Sequence, residues 1–362
     1  MNNSFFYLKN DNYLDIDIYM DNKKKYGQYF TTNYKYILQN FVIPDNIKII
    51  IEPFAGNCDL IDFIDDKDKY EIYYYDIEPK KDFIIKQDTI LEPPSNIDKS
   101  FILTNPPYLA RNKSTDKILY DKYKTNDLYK CFIQILINKG CLGGILILPL
   151  NFICSIRKND IELRKRFLNK YEIISMNIFE EQVFKDTSYT ICSFQFKLRE
   201  TDNDIIKFNI YPSNIELELK INNDNNYTIG GEIYNLKQSK DYKIERATRL
   251  TTNKEFITNI LVKCIDDNNQ IGLSLTDNID KYIDKTINLS SRSYAILIIE
   301  PKLTIEKQKE LIEKFNNYIQ EKRKIYNSLF LTNYRESKNN NARKRISFNL
   351  IYEICNYLLQ TE

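Results

Sequence analysis

The stretch Phe101-Ile102-Leu103-Thr104-Asn105-Pro106-Pro107-Tyr108 decides how the rest of the chain is read. Its apolar start, Phe101 to Leu103, reads as a short buried strand. The two prolines cannot donate to a ladder and force the chain out of the sheet. In an open α/β sheet, ligands bind beyond the carboxyl ends of the strands, where this turn would lie. The turn offers an amide side chain, two stiffened carbonyls and an exposed aromatic ring. Such a set can hold a planar amine: Asn105 Oδ1 and the Pro106 carbonyl accept its two N–H groups while Tyr108 stacks on its face. A Pro-Pro loop that only closes a strand, with Tyr108 as packing, is an equal account of these residues taken alone. Their neighbours decide between the two.

On the N-terminal side, Ile47 to Ile51 is a β-branched run that leads straight into Glu52-Pro53-Phe54-Ala55-Gly56-Asn57-Cys58-Asp59 and a helix-like Leu60 to Ile64. Strand signals recur at Ile72–Tyr75, Phe83–Ile85 and Ile145–Leu148. Between the last strand and Tyr108, Asp127 reads as the N-cap of a helix. Leu128, Cys131, Phe132, Ile135 and Leu136 follow at helical spacing, and Gly140 stops it. Tyr34 to Phe41 reads as a short helix. Strands alternating with helices predict a parallel, doubly wound sheet. Ile173–Phe179 and Tyr189–Leu198, with only a loop between them, predict an antiparallel pair at one edge. Near residue 200 the rhythm stops. Residues 200–235 are rich in Asn and Asp, Thr304 to Leu331 reads as a long amphipathic helix, and Asn349 to Leu359 as a last one. The expected organisation is an α/β domain over 1–200 and a second, α+β domain over 201–362.

The chain has 362 residues, enough for two domains with real cores. Its hydrophobic content of 43% and charged content of 28% are ordinary for a soluble globular protein. Histidine is absent, which removes Ser-His triads, histidine bases and histidine-ligated metals together. The seven cysteines form no Cys-x-x-Cys pair and lie mostly among apolar residues, so buried free thiols in a reducing cytosol are expected, with no metal. The longest apolar run, Cys141 to Leu150, is broken by glycines and a proline and is too short to span a bilayer. No apolar signal-peptide core is present at the N-terminus. A soluble, cytoplasmic protein of a bacterial or infected cell is the expectation, with no membrane partner. The net charge is only +2, so a basic surface must be local. Residues 321–350 supply one, with eight Lys or Arg against two Glu.

Each motif is weak by itself. The Glu52 to Asp59 turn sits where a nucleotide-like ligand meets a first βα loop, yet it has a single glycine and is neither a dinucleotide fingerprint nor a P-loop. Asp76 follows a strand roughly 20 residues after Gly56, where an acid meets ribose hydroxyls; a solvated loop acid would look the same. Asp88 could accept from an adenine amino group or simply face water. The joint order is more telling: Gln28-Tyr29-Phe30-Thr31, Glu52-Pro53-Phe54-Ala55-Gly56, a strand-end acid, Asp88-Thr89, Asn105-Pro106-Pro107-Tyr108, then Asp127-Leu128-Tyr129. Over roughly residues 26 to 198 this resembles the S-adenosylmethionine-dependent DNA adenine-N6 methyltransferases of the gamma arrangement, in which cofactor motifs precede the catalytic one. These are similar to the enzymes of type II restriction-modification systems.

The resemblance implies a Rossmann-like class I methyltransferase sheet followed by a C-terminal target recognition domain, with S-adenosyl-L-methionine as cofactor. By it, Tyr29, Phe30 and Thr31 form the N-terminal cofactor motif, with Thr31 near the methionine carboxylate. Glu52, Phe54, Ala55 and Gly56 cradle the methionine moiety. Asp76 and Ile77 meet the ribose, Asp88 and Thr89 the adenine, and Asn105 borders the cofactor as well. Asn105, Pro106, Pro107 and Tyr108 form the catalytic motif. Phe184, in Val183-Phe184-Lys185, is the preferred aromatic closing over the flipped base, with Tyr189 the alternative. Cys58 stands where the family often has glycine.

The implied reaction is direct transfer of a methyl group to the exocyclic N6 of an adenine rotated out of double-stranded DNA. Lys243, Arg246 and Arg249, with Arg335, Arg343, Lys344 and Arg345, are the candidate DNA contacts, although any one of them could equally be a solvated charge. A separate cognate restriction endonuclease fits this picture. One pocket flipping one base suggests a monomer. Two other substrate classes use the same Asn-Pro-Pro-Tyr site: protein glutamine and RNA amines, and cytosine N4. The Pro-Cys nucleophile of cytosine C5 methylation is missing. A degenerate module that only binds DNA is the third reading, and cofactor affinity separates it from the others.

Overall fold

The computed structural model describes residues 27, 31–184, 189–266, 270–283, 293–336 and 342–360. The chain divides into two compact units, one of residues 1–148 with 193–198, the other of 149–192 with 199–362. The segment 149–192, which the expected boundary at residue 200 assigns to the α/β domain, packs with the C-terminal half.

In the first unit, a short helix α1 (Tyr34–Ile37) precedes strand β1 (Ile49–Glu52). Strands β2 (Glu71–Asp76), β3 (Ile85–Lys86) and β4 (Phe101–Thr104) follow, then helices α2 (Ile118–Tyr123) and α3 (Leu128–Lys139), and strand β5 (Gly143–Pro149). The strand order is β3-β2-β1-β4-β5, and all four pairings are parallel. β1, β4 and β5 are continuous apolar runs because a parallel sheet is covered on both faces. Ile50, Ile51, Ile102 and Ile145 to Leu148 are completely buried. Helix α3 buries Cys131, Phe132, Ile135 and Leu136, the spacing expected of its core face, and each large side chain there contributes about 1.5–3 kcal/mol.

The chain order reverses at β1, which has β2 on one side and β4 on the other. This is the switch point at which loops diverge above a doubly wound sheet and leave a crevice. Glu52 and Asp76 close β1 and β2, and Asn105 follows β4. The topology thus delivers all three to the same edge.

The second unit holds helices α4 (Asn151–Cys154) and α5 (Lys158–Lys170) and strand β6 (Tyr171–Phe179). Strand β7 (Ile191–Leu198) falls mostly to the first unit, where the Leu198 N–H reaches the Leu142 carbonyl at the start of β5, so β7 runs opposite to β5. The expected edge pair is corrected here. β6 does not end the sheet: β8 (Ile205–Tyr211) joins it in parallel, and β9 (Ile215–Lys220) pairs antiparallel with β8. The Asn- and Asp-rich composition past residue 200 hid these two strands.

Beyond them β10 (Lys243–Arg246), β11 (Ile257–Lys263), β12 (Ile265–Asp266), β13 (Gly272–Leu275), helix α6 (Ile279–Tyr282) and β14 (Tyr294–Glu300) build mainly a four-stranded sheet of order β10-β14-β11-β13. Its three pairings are antiparallel, and alternate residues of β11 are buried, as in a sheet with one covered face. Helix α7 (Ile305–Tyr326) starts at Thr304, whose hydroxyl accepts from the Lys307 N–H. It is fastened to β13 by Asn316, which both donates to and accepts from the Leu273 backbone at 2.9 Å. Strands β15 (Thr332–Glu336) and β16 (Ala342–Arg345) complete a small sheet with β12, and helix α8 (Phe348–Gln360) follows. All seven cysteines are buried free thiols, as expected. Among the described residues no helix is long and apolar enough to cross a membrane.

Candidate active site

The turn after β1 is shaped by its backbone. The Ala55 N–H donates to the Tyr75 carbonyl at 2.8 Å, Gly56 takes a positive φ of 51°, and its N–H donates to Asp76 Oδ2 at 2.8 Å. The Glu78 N–H holds the other Asp76 oxygen at 2.8 Å. Asp88 Oδ1 accepts from the Ile90 and Leu91 N–H groups, and the Thr89 hydroxyl donates to the Pro53 carbonyl at 2.8 Å, tying the third loop to the first. Cys58 adopts the left-handed conformation, φ 61°, that glycine would take freely. Its side chain turns into an apolar cluster with Ala55 and Ile84, so backbone approach at Gly56 stays open.

These loops enclose a cavity of about 330 Å³. Of the residues expected at the cofactor, Thr31, Glu52, Phe54, Ala55, Gly56, Asp76, Ile77, Asp88, Thr89 and Asn105 all line it, together with Pro107. Tyr29 and Phe30 lie outside the described residues. Glu52 is buried. Burial pushes its carboxyl well above the usual range, Asp59 and Asp76 push it the same way, and Lys81 opposes them. Asp59 and Asp76 are themselves raised, chiefly by burial. Three carboxyls crowded at one end of a cavity favour a cationic occupant.

Motif reading missed Asp59, which lines the cavity from the start of the turn that follows Cys58, and also Ser114, Thr115, Asp116, Leu119 and Tyr120. An acid three residues past Gly56 was the one available signal. The loop after Tyr108 carries no periodicity. It is folded back by backbone bonds from Leu128 to Leu109 (3.2 Å) and Arg111 to Asn126 (2.9 Å), and by the Lys117 ammonium on the Arg111 and Ser114 carbonyls.

The catalytic-motif expectation needs one correction. Tyr108 is buried, not exposed: its hydroxyl meets Asn105 Oδ1 and the Ile147 carbonyl (2.7 Å), and its ring stands edge-on to Tyr129 at 6.1 Å. The prolines turn the chain back over β5, so the ring drops between that strand and α3. The Tyr108 N–H is held by the Gly27 carbonyl at 2.9 Å. A side chain at Gly27 would meet the Tyr108 carbonyl at 2.7 Å.

Phe184 and Tyr189 belong to the other unit, where Phe184 is buried. So do the basic candidates. Lys243 is exposed beside Glu245 (3.1 Å), Arg249 is exposed, and Arg246 lies over the Phe348 ring at 5.1 Å. Lys344 is mostly buried in an ion pair with Glu180 at 2.6 Å, so that ammonium is committed inside the fold and is not offered to a phosphate. Arg345 is half-buried, and Arg335 and Arg343 face each other in register across β15 and β16, with their side chains outside the description.

The sheet topology and the acid-lined cavity at its switch point define a class I methyltransferase fold, whose cofactor is S-adenosyl-L-methionine. Residues 45–184 match the family model of the Eco57I restriction-modification methylase. No curated protein sequence matches the chain. Among solved structures it is similar to the methyltransferase subunit of a type I restriction-modification system from Streptococcus thermophilus, at 13% identity and a TM-score of 0.37, covering 51% of this chain and 48% of that one. It is similar to the M protein of the type I restriction enzyme EcoKI, at 15% identity and a TM-score of 0.37, covering 51% and 48%. The type IIG restriction endonuclease BpuSI matches at 11% identity and a TM-score of 0.37, over 63% of this chain and 36% of its own. The chain thus spans about half the length of the two subunits and about a third of BpuSI.

Proposed function

We propose that this chain methylates the exocyclic N6 of adenine in a specific double-stranded DNA sequence, with residues 1–200 catalytic and 201–362 reading the target. The observation that carries this is Asn105 following β4 on the same cavity as Glu52, Asp59 and Asp76. An amine acceptor and a cation site thereby share one chamber. The buried Glu52 carboxyl and the flanking acids suit a cofactor that carries an ammonium and a sulfonium, and the Asp88 side lies where a nucleoside would end.

Bound S-adenosyl-L-methionine supplies a methyl group on positively charged sulfur. The chain's residues do the rest. Glu52 and Asp59 face the cationic end, Asp76 the ribose hydroxyls, and the second Asp88 oxygen an amino group. Asn105 Oδ1 and the Pro106 carbonyl accept the two hydrogens of the target amine, whose lone pair is otherwise delocalised into the ring. Those bonds strengthen as positive charge develops on nitrogen, which makes them catalytic rather than merely binding. The exposed Arg249, and Lys243 on exchanging its exposed Glu245 partner, contact phosphates.

The test is long-read modification sequencing of methylation-free plasmid DNA after incubation with the protein and the cofactor. N6-methyladenine confined to one short motif is expected. A cytosine signal overturns the choice of base, and tight cofactor binding without DNA modification redirects the reading to RNA or protein amines. Absence of cofactor binding leaves only a degenerate DNA-binding module.

A further inference from the structure

We infer that Thr31 is a positioning residue that couples the occupant of the acid-lined cavity to the orientation of the Asn105 amide. This rests on the methyl-transfer reading above and adds a role for a residue outside the catalytic motif. Thr31 is almost completely buried, it lines the cavity, and its side-chain oxygen accepts from Asn105 Nδ2 at 3.1 Å. Asp59, whose carboxyl burial raises, lines the same cavity.

An amide is nearly symmetric in shape, and turning it over exchanges its acceptor for its donors. In a buried site only hydrogen-bond partners choose between the two. A threonine hydroxyl can serve either end, because it both donates and accepts. It loses that freedom once the cavity's occupant accepts its proton, as the carboxylate of an amino-acid cofactor can. The oxygen then offers lone pairs alone, Nδ2 must face it, and Oδ1 is turned to the Tyr108 side. There the Tyr108 hydroxyl touches both Oδ1 and the Ile147 carbonyl, and its single proton serves one of them at a time. With the proton on the Ile147 carbonyl, Oδ1 can accept from the substrate amine. A reversed amide would set N–H against N–H.

The kinetic test compares Thr31→Val and Thr31→Ser with wild type at saturating cofactor and plasmid DNA. Thr31→Val should lower kcat by about 10- to 100-fold, the scale of a displaced catalytic group, and Thr31→Ser should restore most of it. An unchanged kcat with only a raised cofactor KM reduces Thr31 to a cofactor ligand and overturns the inference, as does failure of the serine variant to rescue. A second readout needs no turnover. In protein labelled with [15N]asparagine, the Asn105 side-chain amide signals, assigned by their loss in Asn105→Ser, should shift when S-adenosylhomocysteine is added to wild type and not to Thr31→Val. The same response in both, or in neither, refutes the coupling even if the plasmid proves to be the wrong substrate.

Discussion

A carboxyl buried at the end of β1 among other acids is costly to ionise, so Glu52 holds its proton into a higher pH range than an ordinary acid. The folded chain then keeps a proton that the unfolded chain has already lost, and the empty site loses stability as pH rises from the usual carboxylate range through the raised value. A bound cation favours the ionised form. Cofactor affinity should therefore climb with pH across that interval and level off above it, whereas Glu52→Gln should bind more weakly with a flatter profile. Calorimetric titrations at several pH values check this, and an unchanged slope in the variant assigns the dependence to another group. Asn105 tests the other side of the chamber. Asn105→Ala should lose turnover by about 100- to 1000-fold, as when one positioned partner of a developing charge is removed, with cofactor affinity close to wild type. Comparable loss of both would make the motif structural.

Helix α3 begins at Asp127, a buried N-cap whose Oδ1 has no hydrogen-bond partner. Burial pushes this carboxyl up to about 7, against the opposing charge of Lys130. Stability from this group is fully present below the ordinary range near 4 and falls as pH rises towards 7. Asp127→Asn keeps the size of the side chain and removes the charge. Urea unfolding at pH 8 should find the variant more stable, by on the order of 4 kcal/mol as an upper bound, and the gain should vanish near pH 4. A pH-independent difference would trace the effect to packing instead. At this scale the sequence was highly legible. Gly140 and the apolar spacing gave α3 its bounds, and β-branched runs gave β1 and β4, because period and capping are local properties. Strands β8 and β9 were not legible, since their polar surroundings hide a ladder that only β6 makes favourable.

On the scale of the molecule a net charge of +2 conceals very different basic residues. Arg249→Ala should weaken binding to DNA of any sequence and reduce the salt dependence of affinity by about one counterion, leaving folding intact. Lys344→Ala should do the reverse, because it strands Glu180 in a largely buried pair; a loss of about 3–5 kcal/mol is the scale for breaking such a pair. Fluorescence anisotropy over a salt series and thermal unfolding of both variants distinguish them. A steeper salt effect at Lys344 than at Arg249 would show that the ion pair opens to reach the polyanion.

By itself the sequence determined the strand-ending positions of Glu52, Asp76 and Asn105, the alternation that makes a parallel sheet, and the exclusion of histidine chemistry, since each depends only on residue type and short-range spacing. Tertiary structure alone decided which loops meet. The β2-β1-β4 order brought the three strand ends onto one cavity and added Asp59 and the Ser114 to Asp116 loop to its wall. It also buried the Tyr108 ring and closed Lys344 onto Glu180. Such outcomes follow from contacts between residues far apart in the chain, for which neither hydropathy period nor motif spacing carries a signal.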